Sequence, residues 1–368
     1  MRTLVRVAAV GGALAAGAAV GVVAPQAQAA GQSYGAAYVW ADQPTADSYL
    51  PRASYQWNSV HPAQAVNRVS RTGIGSYVVT MKDLTGVGGT VSVTAYGASS
   101  HHCKVVSWFP TSGAQHVNVN CFDGAGNPAD SRFVASYTNR STTPHPMAYA
   151  WADQPTAADY EPHPLYRFNS TGAALSIARF GVGHYVVRLP GFRRNPQTGD
   201  ITGTAKVTAY GPGSARCNIE FGPGGIAAIE SVLVQCTTPA GQRVDSRFTV
   251  SYVEDGNLLG ADGHDTAYAR VRADGTLLGP PREWEFPRDG SISSQRTATG
   301  AYRVRLPVDF TVGHAQVTAD FTAGFPLGRH CKVSRWNAAE GVVVLCFAAD
   351  GSPLDAGFQL TFVGPRRD

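Results

Sequence analysis

Tyr38, Trp40, Asp42 and Gln43 have the types and spacing for chemistry. In Ala37-Tyr-Val-Trp-Ala-Asp-Gln-Pro-Thr45 the first three alternate onto one face of an extended run, with Gln43 beside them. Tyr149, Trp151, Asp153 and Gln154 repeat the set. An aromatic ring flanked by amide and carboxylate suits a sugar: the ring stacks on the apolar sugar face and the polar groups take hydroxyls. The competing expectation is that Tyr and Trp fill the core of their own unit and that Gln-Pro-Thr is a turn, and residue type favours the core.

The other candidate groups point to staples rather than catalysis. Cys103 and Cys121 face each other if the two runs form a hairpin, which sets Val105 against Val119 and Ser107 against Val117. Cys217 with Cys236 and Cys331 with Cys346 repeat the register, with Ile219 facing Val234 and Val333 facing Val344. The expectation is three disulfides, one per copy, each stabilising by about 3 kcal/mol in the chain-entropy model. Three pairs of buried thiols are the alternative. A zinc site is not expected, because zinc ligands come in close Cys/His pairs. Lys104, Asn118, Asn120, Asn218, Glu220 and Lys332 form the opposite, wetter face of the hairpins.

Arg71, Arg179 and Arg296 recur six residues before Tyr77, Tyr185 and Tyr302, and Asp130, Asp245 and Asp355 recur three residues before a Phe. A catalytic Arg–Asp pair is conceivable. The plainer expectation is that each Asp caps its own turn and each Arg lies along a sheet face with its head in solvent. His102 and His330 precede a cysteine where Arg216 stands in the second copy, so no His recurs and both are read as surface residues. Asp255, Asn257, Asp262 and Asp265 fit no EF-hand spacing and read as a flexible acidic linker. Gly31-Gln-Ser-Tyr-Gly35 matches a nucleophile pattern but lacks the strand and helix that pattern needs. No metal, cofactor or catalytic motif is expected.

Repetition supplies the elements that position these groups. Short runs near 37–41, 54–58, 65–71, 76–81, 90–96, 103–109, 116–122 and 132–138 alternate in polarity and are punctuated by Gly, Pro and Asn. Tyr77, Val79 and Met81 share one face, and so do Phe133, Ala135 and Tyr137. The frame returns twice, worn in the third copy, where Arg270 stands for the Trp. The expected architecture is all-β: three tandem Ig-like or jelly-roll-type β-sandwiches at 37–138, 147–253 and 266–364, each with one internal disulfide. Segments 139–146 and 254–265 have linker composition and are expected to carry few contacts.

Ala-Trp-Ala-Asp-Gln-Pro-Thr followed by Cys-Phe-Asp-x-Ala-Gly-x-Pro-x-Asp-Ser-Arg-Phe resembles a group of secreted repeat proteins of high-GC Gram-positive bacteria. The resemblance covers nearly the whole chain after the leader and implies export and a β-repeat; it brings no activity. Residues 1–29 read as a signal peptide: Arg2 and Arg6, an apolar run from Val7 to Val23, and Ala27-Gln-Ala29 for cleavage. Without the two leader arginines, 28 basic residues face 26 acidic ones, a net of +2 with no basic patch, so nucleic acid is not an expected partner. No later run is long and apolar enough for a membrane span. The expected function is non-enzymatic: extracellular binding or a structural role in the cell envelope. The alternatives are a carbohydrate-binding array using the Trp40 and Trp151 surfaces, with polysaccharide or an envelope component as partner, and a secreted hydrolase with its site at a domain junction.

Overall fold

The computed structural model describes residues 33–193, 202–221, 230–279, 284–322 and 327–365. The segment 1–29, read from the sequence as a leader, lies outside them. In the first unit, β1 (Gly35–Ala41), β3 (Gln56–Asn58), β6 (Thr90–Tyr96) and β9 (Arg132–Asn139) form one sheet in the order β6-β9-β1-β3. The second sheet holds β2 (Ser48–Tyr49), β4 (Arg68–Gly73), β5 (Ser76–Lys82), β7 (His102–Thr111) and β8 (Ala114–Phe122) in the order β7-β8-β5-β4-β2. The other units repeat the plan. The alternating runs therefore form strands, and the two-residue β2 is the one element the sequence pattern does not mark.

Each unit buries its own core between its sheets. Val39, Tyr77, Val79, Met81, Phe133 and Tyr137 lie in the first, beside the Cys103–Cys121 disulfide. Cys217–Cys236 and Cys331–Cys346 staple the other two. Cys103 pairs with Cys121 and Val105 with Val119, as the facing register requires. A bulge after Val105 then sets Ser107 against Asn118 and Trp108 against Val117, one step away from the expected pairing.

The hairpin tips explain the recurring Arg and Asp. Arg71 donates through Nε and Nη2 to Asp130 at 3.0 and 2.9 Å, and Gly75 N and Tyr77 Oη donate to the same carboxylate. Arg179–Asp245 and Arg296–Asp355 repeat the clamp. Each Asp thus holds the tip of a different hairpin instead of its own turn, and each Arg head is spent on it. The Arg71 guanidinium first, then the Gly75 amide and Tyr77 hydroxyl, holds Asp130 below the usual carboxylate range. Gly75 has φ +66°, and a Cβ there would lie 2.4 Å from the Cys121 carbonyl oxygen; Gly183 and Gly300 stand in the same place against Cys236 and Cys346. Gly75→Ala is expected to cost about 1–3 kcal/mol in urea denaturation, since it forces a side chain into left-handed backbone against a fixed carbonyl. An unchanged midpoint would contradict that role.

The units are not beads on a string. β6 pairs in parallel with His330–Asn337 of the third unit, where Tyr96 meets Val333. β7 pairs in parallel with Thr204–Tyr210 of the second, where Val105 meets Tyr210. Arg216–Phe221 pairs in parallel with His314–Thr322, where Ile219 meets Asp320. Three sheets therefore run across three boundaries, and the chain closes into a ring with pseudo-threefold symmetry. Hydrogen bonds around the axis repeat it: Thr208 Oγ1 accepts from Val93 N, Thr318 Oγ1 from Val207 N, and Thr94 Oγ1 from Val317 N, at 3.1, 3.2 and 3.1 Å.

Closure also overturns the expectation of sparse linkers. Thr142 N and Oγ1 donate to Gly260 O, so one linker is bonded to the other. Leu259 and Ala261 pack with Tyr38, Trp57 and Val363, and Asn257 is buried with its side chain bonded to Leu259 N and Ala261 O. Asp255 pairs with Arg193 and Arg288. The acidic linker is a packed plug at the unit boundary.

Candidate functional site

β1 turns Ala37, Val39 and Ala41 into its own core and Ala36, Tyr38 and Trp40 outward. The small side chains face inward and the large rings face the neighbouring units, the reverse of the core expectation. Tyr38 is 0% exposed, its ring 4.2 Å from that of His314 of the third unit. Trp40 is half-buried and meets Tyr55, Tyr96 and, across the boundary, Trp336, with centroids 4.6, 4.9 and 5.4 Å away. Trp151 meets Tyr166, Tyr210 and Trp108 of the first unit in the same way, at 5.0, 5.0 and 5.7 Å. Tyr149 is fully buried against Phe168. Each Trp is thus neither in the core of its own unit nor on a flat open surface; it sits in a four-ring cluster that joins two units.

Asp42 and Asp153 are half-buried beside these clusters, and Gln43 and Gln154 are exposed. The Trp40 Nε1 and Asp42 Oδ1 atoms are buried without a hydrogen-bond partner, as are Trp151 Nε1 and Asp153 Oδ1. One donor and one acceptor are left over at each aromatic junction.

In the third unit the corresponding pair is charged. Arg270 stands where the Trp stands and Asp320 where Tyr96 and Tyr210 stand, as the shared pairing with Val333, Val105 and Ile219 shows. Arg270 Nε and Nη2 donate to the two Asp320 oxygens at 2.5 and 3.1 Å, with the two side chains 8% and 4% exposed. Gln359 Nε2 donates to the same carboxylate at 3.1 Å. Within the third unit the Trp–Tyr contact has been exchanged for an ion pair at this position.

On the axis, the strands at Thr94, Thr208 and Thr318 and the starts of the three cysteine hairpins line a partly open cavity of about 50 Å³. Lys104, Lys332, His102, His330, Arg216 and Asn218 line it. Lys104 and Lys332 are 2% and 1% exposed, and both histidines are buried. Lys104, Asn218, Glu220 and Lys332 of the hairpin face read as wet, and the histidines read as surface residues, are therefore interior, while Asn118 and Asn120 stay half-exposed. The reason is the ring: what a free sandwich would show to water is covered by the next unit. Burial pushes Lys104 down to about 8, Lys332 down to about 7 and His102 down to about 3, the last also through the Arg216 charge. The signal for this site was the step from cysteine to cysteine: a basic residue precedes each one, and Lys, Asn and Lys follow.

Among the described residues no group of His, Cys, Asp or Glu is placed to hold a metal. No described helix is long and apolar enough to cross a membrane. No protein-family model, curated protein or solved structure matches the chain.

Proposed function

We propose that this chain is an exported, non-enzymatic protein of the bacterial repeat group it resembles, acting outside the cell in binding or as a structural part of the envelope. The observation that carries this is the closed ring of three disulfide-stapled sandwiches. Disulfides persist in oxidising compartments, and continuous sheets make a rigid platform instead of a hinged array. The groups brought together at the unit boundaries are aromatic rings, an Arg–Asp pair and buried cations, which suits holding over turnover. Fractionation of the producing cell tests the proposal. The expected species is a thiol-free chain beginning at Ala30 in the medium or envelope. A full-length cytoplasmic chain with free thiols would overturn it.

A second reading, carbohydrate binding, is favoured by the unpartnered Trp40 Nε1 and Asp42 Oδ1 and their copies in the second unit. A sugar hydroxyl can both accept from the indole and donate to the carboxylate. Retention on insoluble envelope polysaccharide should then be lost in Asp42→Ala/Asp153→Ala. Equal elution of the two proteins ends this reading.

A further inference from the structure

The axial cavity collects positive charge from all three units and answers it with none. Lys104 comes from the first unit, Arg216 from the second and Lys332 from the third, beside the neutral rings of His102 and His330, and among the described residues no carboxylate lines the space. Lys104 Nζ donates to Gly213 O at 2.6 Å and Lys332 Nζ to Ser99 O at 2.9 Å, each reaching into the loop of a neighbouring unit. An ammonium has three N–H donors, so each lysine keeps donors to spare. His330 Nε2 is bonded to Ser100 O, while its Nδ1 is buried without a partner.

Asp123, the acid that acts on Arg216 and His101, is already committed elsewhere. Asp123 acts on Arg216 only at a distance, and its oxygens accept from Ala125 N, Asn127 N and Asn127 Nδ2 in its own turn. Arg216 is itself engaged, donating to His102 Nδ1, Gly328 O and Gly124 O. A buried charge with no partner is strongly unfavourable. The arrangement makes physical sense when something negative occupies the cavity.

We propose that the axial cavity binds one small tetrahedral oxyanion, of the chemistry of sulfate or phosphate, held by Lys104 and Lys332 and fenced by the threonines of the three axial strands. A volume of about 50 Å³ gives room for a few waters, which is the scale of one such ion and too little for a sugar or peptide. The half-buried His101 and Ala215 mark where its wall reaches the surface. Burial alone depresses both lysines, and a bound anion would restore their charge. The assignment does not depend on the chain being exported.

The test uses the full chain at neutral pH and constant ionic strength in chloride, titrated with sodium sulfate, inorganic phosphate or glycerol 3-phosphate. Thermal unfolding and calorimetric heats are read together. Sulfate and phosphate stabilise proteins in general by exclusion from their surfaces, so the Lys104→Met/Lys332→Met variant is the control. It sheds buried charge while keeping the apolar stems and is expected to fold. The expected result is a saturable rise in Tm with measurable heat at millimolar inorganic ion, at least tenfold weaker in the variant. Equal response to the phosphate monoester would place the anion on a larger molecule, and response to the inorganic ions alone would make it a free ion; both support the site. The same shift in both proteins, or no saturable heat, overturns it.

Discussion

As the pH falls from about 6.5 towards 3, the folded chain is expected to lose a few kcal/mol of stability, a loss that begins before its carboxylates titrate. His102 and His314 are buried and neutral, each pushed by desolvation from 6.5 down to about 3, and His330 lies well below its ordinary value for the same reason. A folded pKa below the unfolded one means that within this window the unfolded chain binds the proton and the folded chain does not. The stability is therefore complete above about 6.5 and drains away as the pH drops, by up to about 1.4 kcal/mol per pH unit for each ring. Asp130, Asp245 and Asp355, also held low, add a loss of the same sign below 3.8. Glu254, raised by burial, acts in the opposite sense. The measurement is Tm against pH for the native chain and for His314→Gln, which lies away from the axial cavity. A falling Tm that is flattened in the variant is expected. A Tm constant down to pH 4 would contradict the burial of these rings.

The second large effect is expected at Asp320. Asp320→Ala removes the carboxylate to which Arg270 Nε and Nη2 both donate, and breaking a buried pair from one side costs about 3–5 kcal/mol. Arg270→Trp/Asp320→Tyr installs the pair that the chain uses in its other two units and should recover much of the loss. Urea denaturation of Arg270→Trp, Asp320→Tyr and the double variant reads the coupling. If the two single losses simply add in the double variant, the ion pair and the aromatic contact are not interchangeable at this position.

Much of each unit was legible in the sequence. The strands follow from alternation, Gly75 and its copies from the turns, and the Cys103–Cys121 register from β-branched residues that face each other on the same side as the cysteines. The ring was not legible, and the reason is physical. A polar face reads as solvated whether water or another polar face covers it. Thr94, Thr208 and Thr318 alternate with core valines as surface residues would, and their partners lie more than a hundred residues away. A single unit offers Trp40 only a core or a surface; with two units it belongs to a boundary. The trace of closure was in the edges. An isolated sandwich would leave β6 and β7 as unpaired edge strands, a liability that proteins cover, and here each is covered by the next copy.

The buried cations, the aromatic clusters and the packed linkers all depend on closure. Small-angle X-ray scattering of residues 30–368 tests it most directly. A closed ring behaves as one compact body, with a radius of gyration of about 20 Å for this length and a single-peaked distance distribution. A clearly larger radius with separate inter-domain peaks, as three sandwiches on free linkers would give, would contradict it.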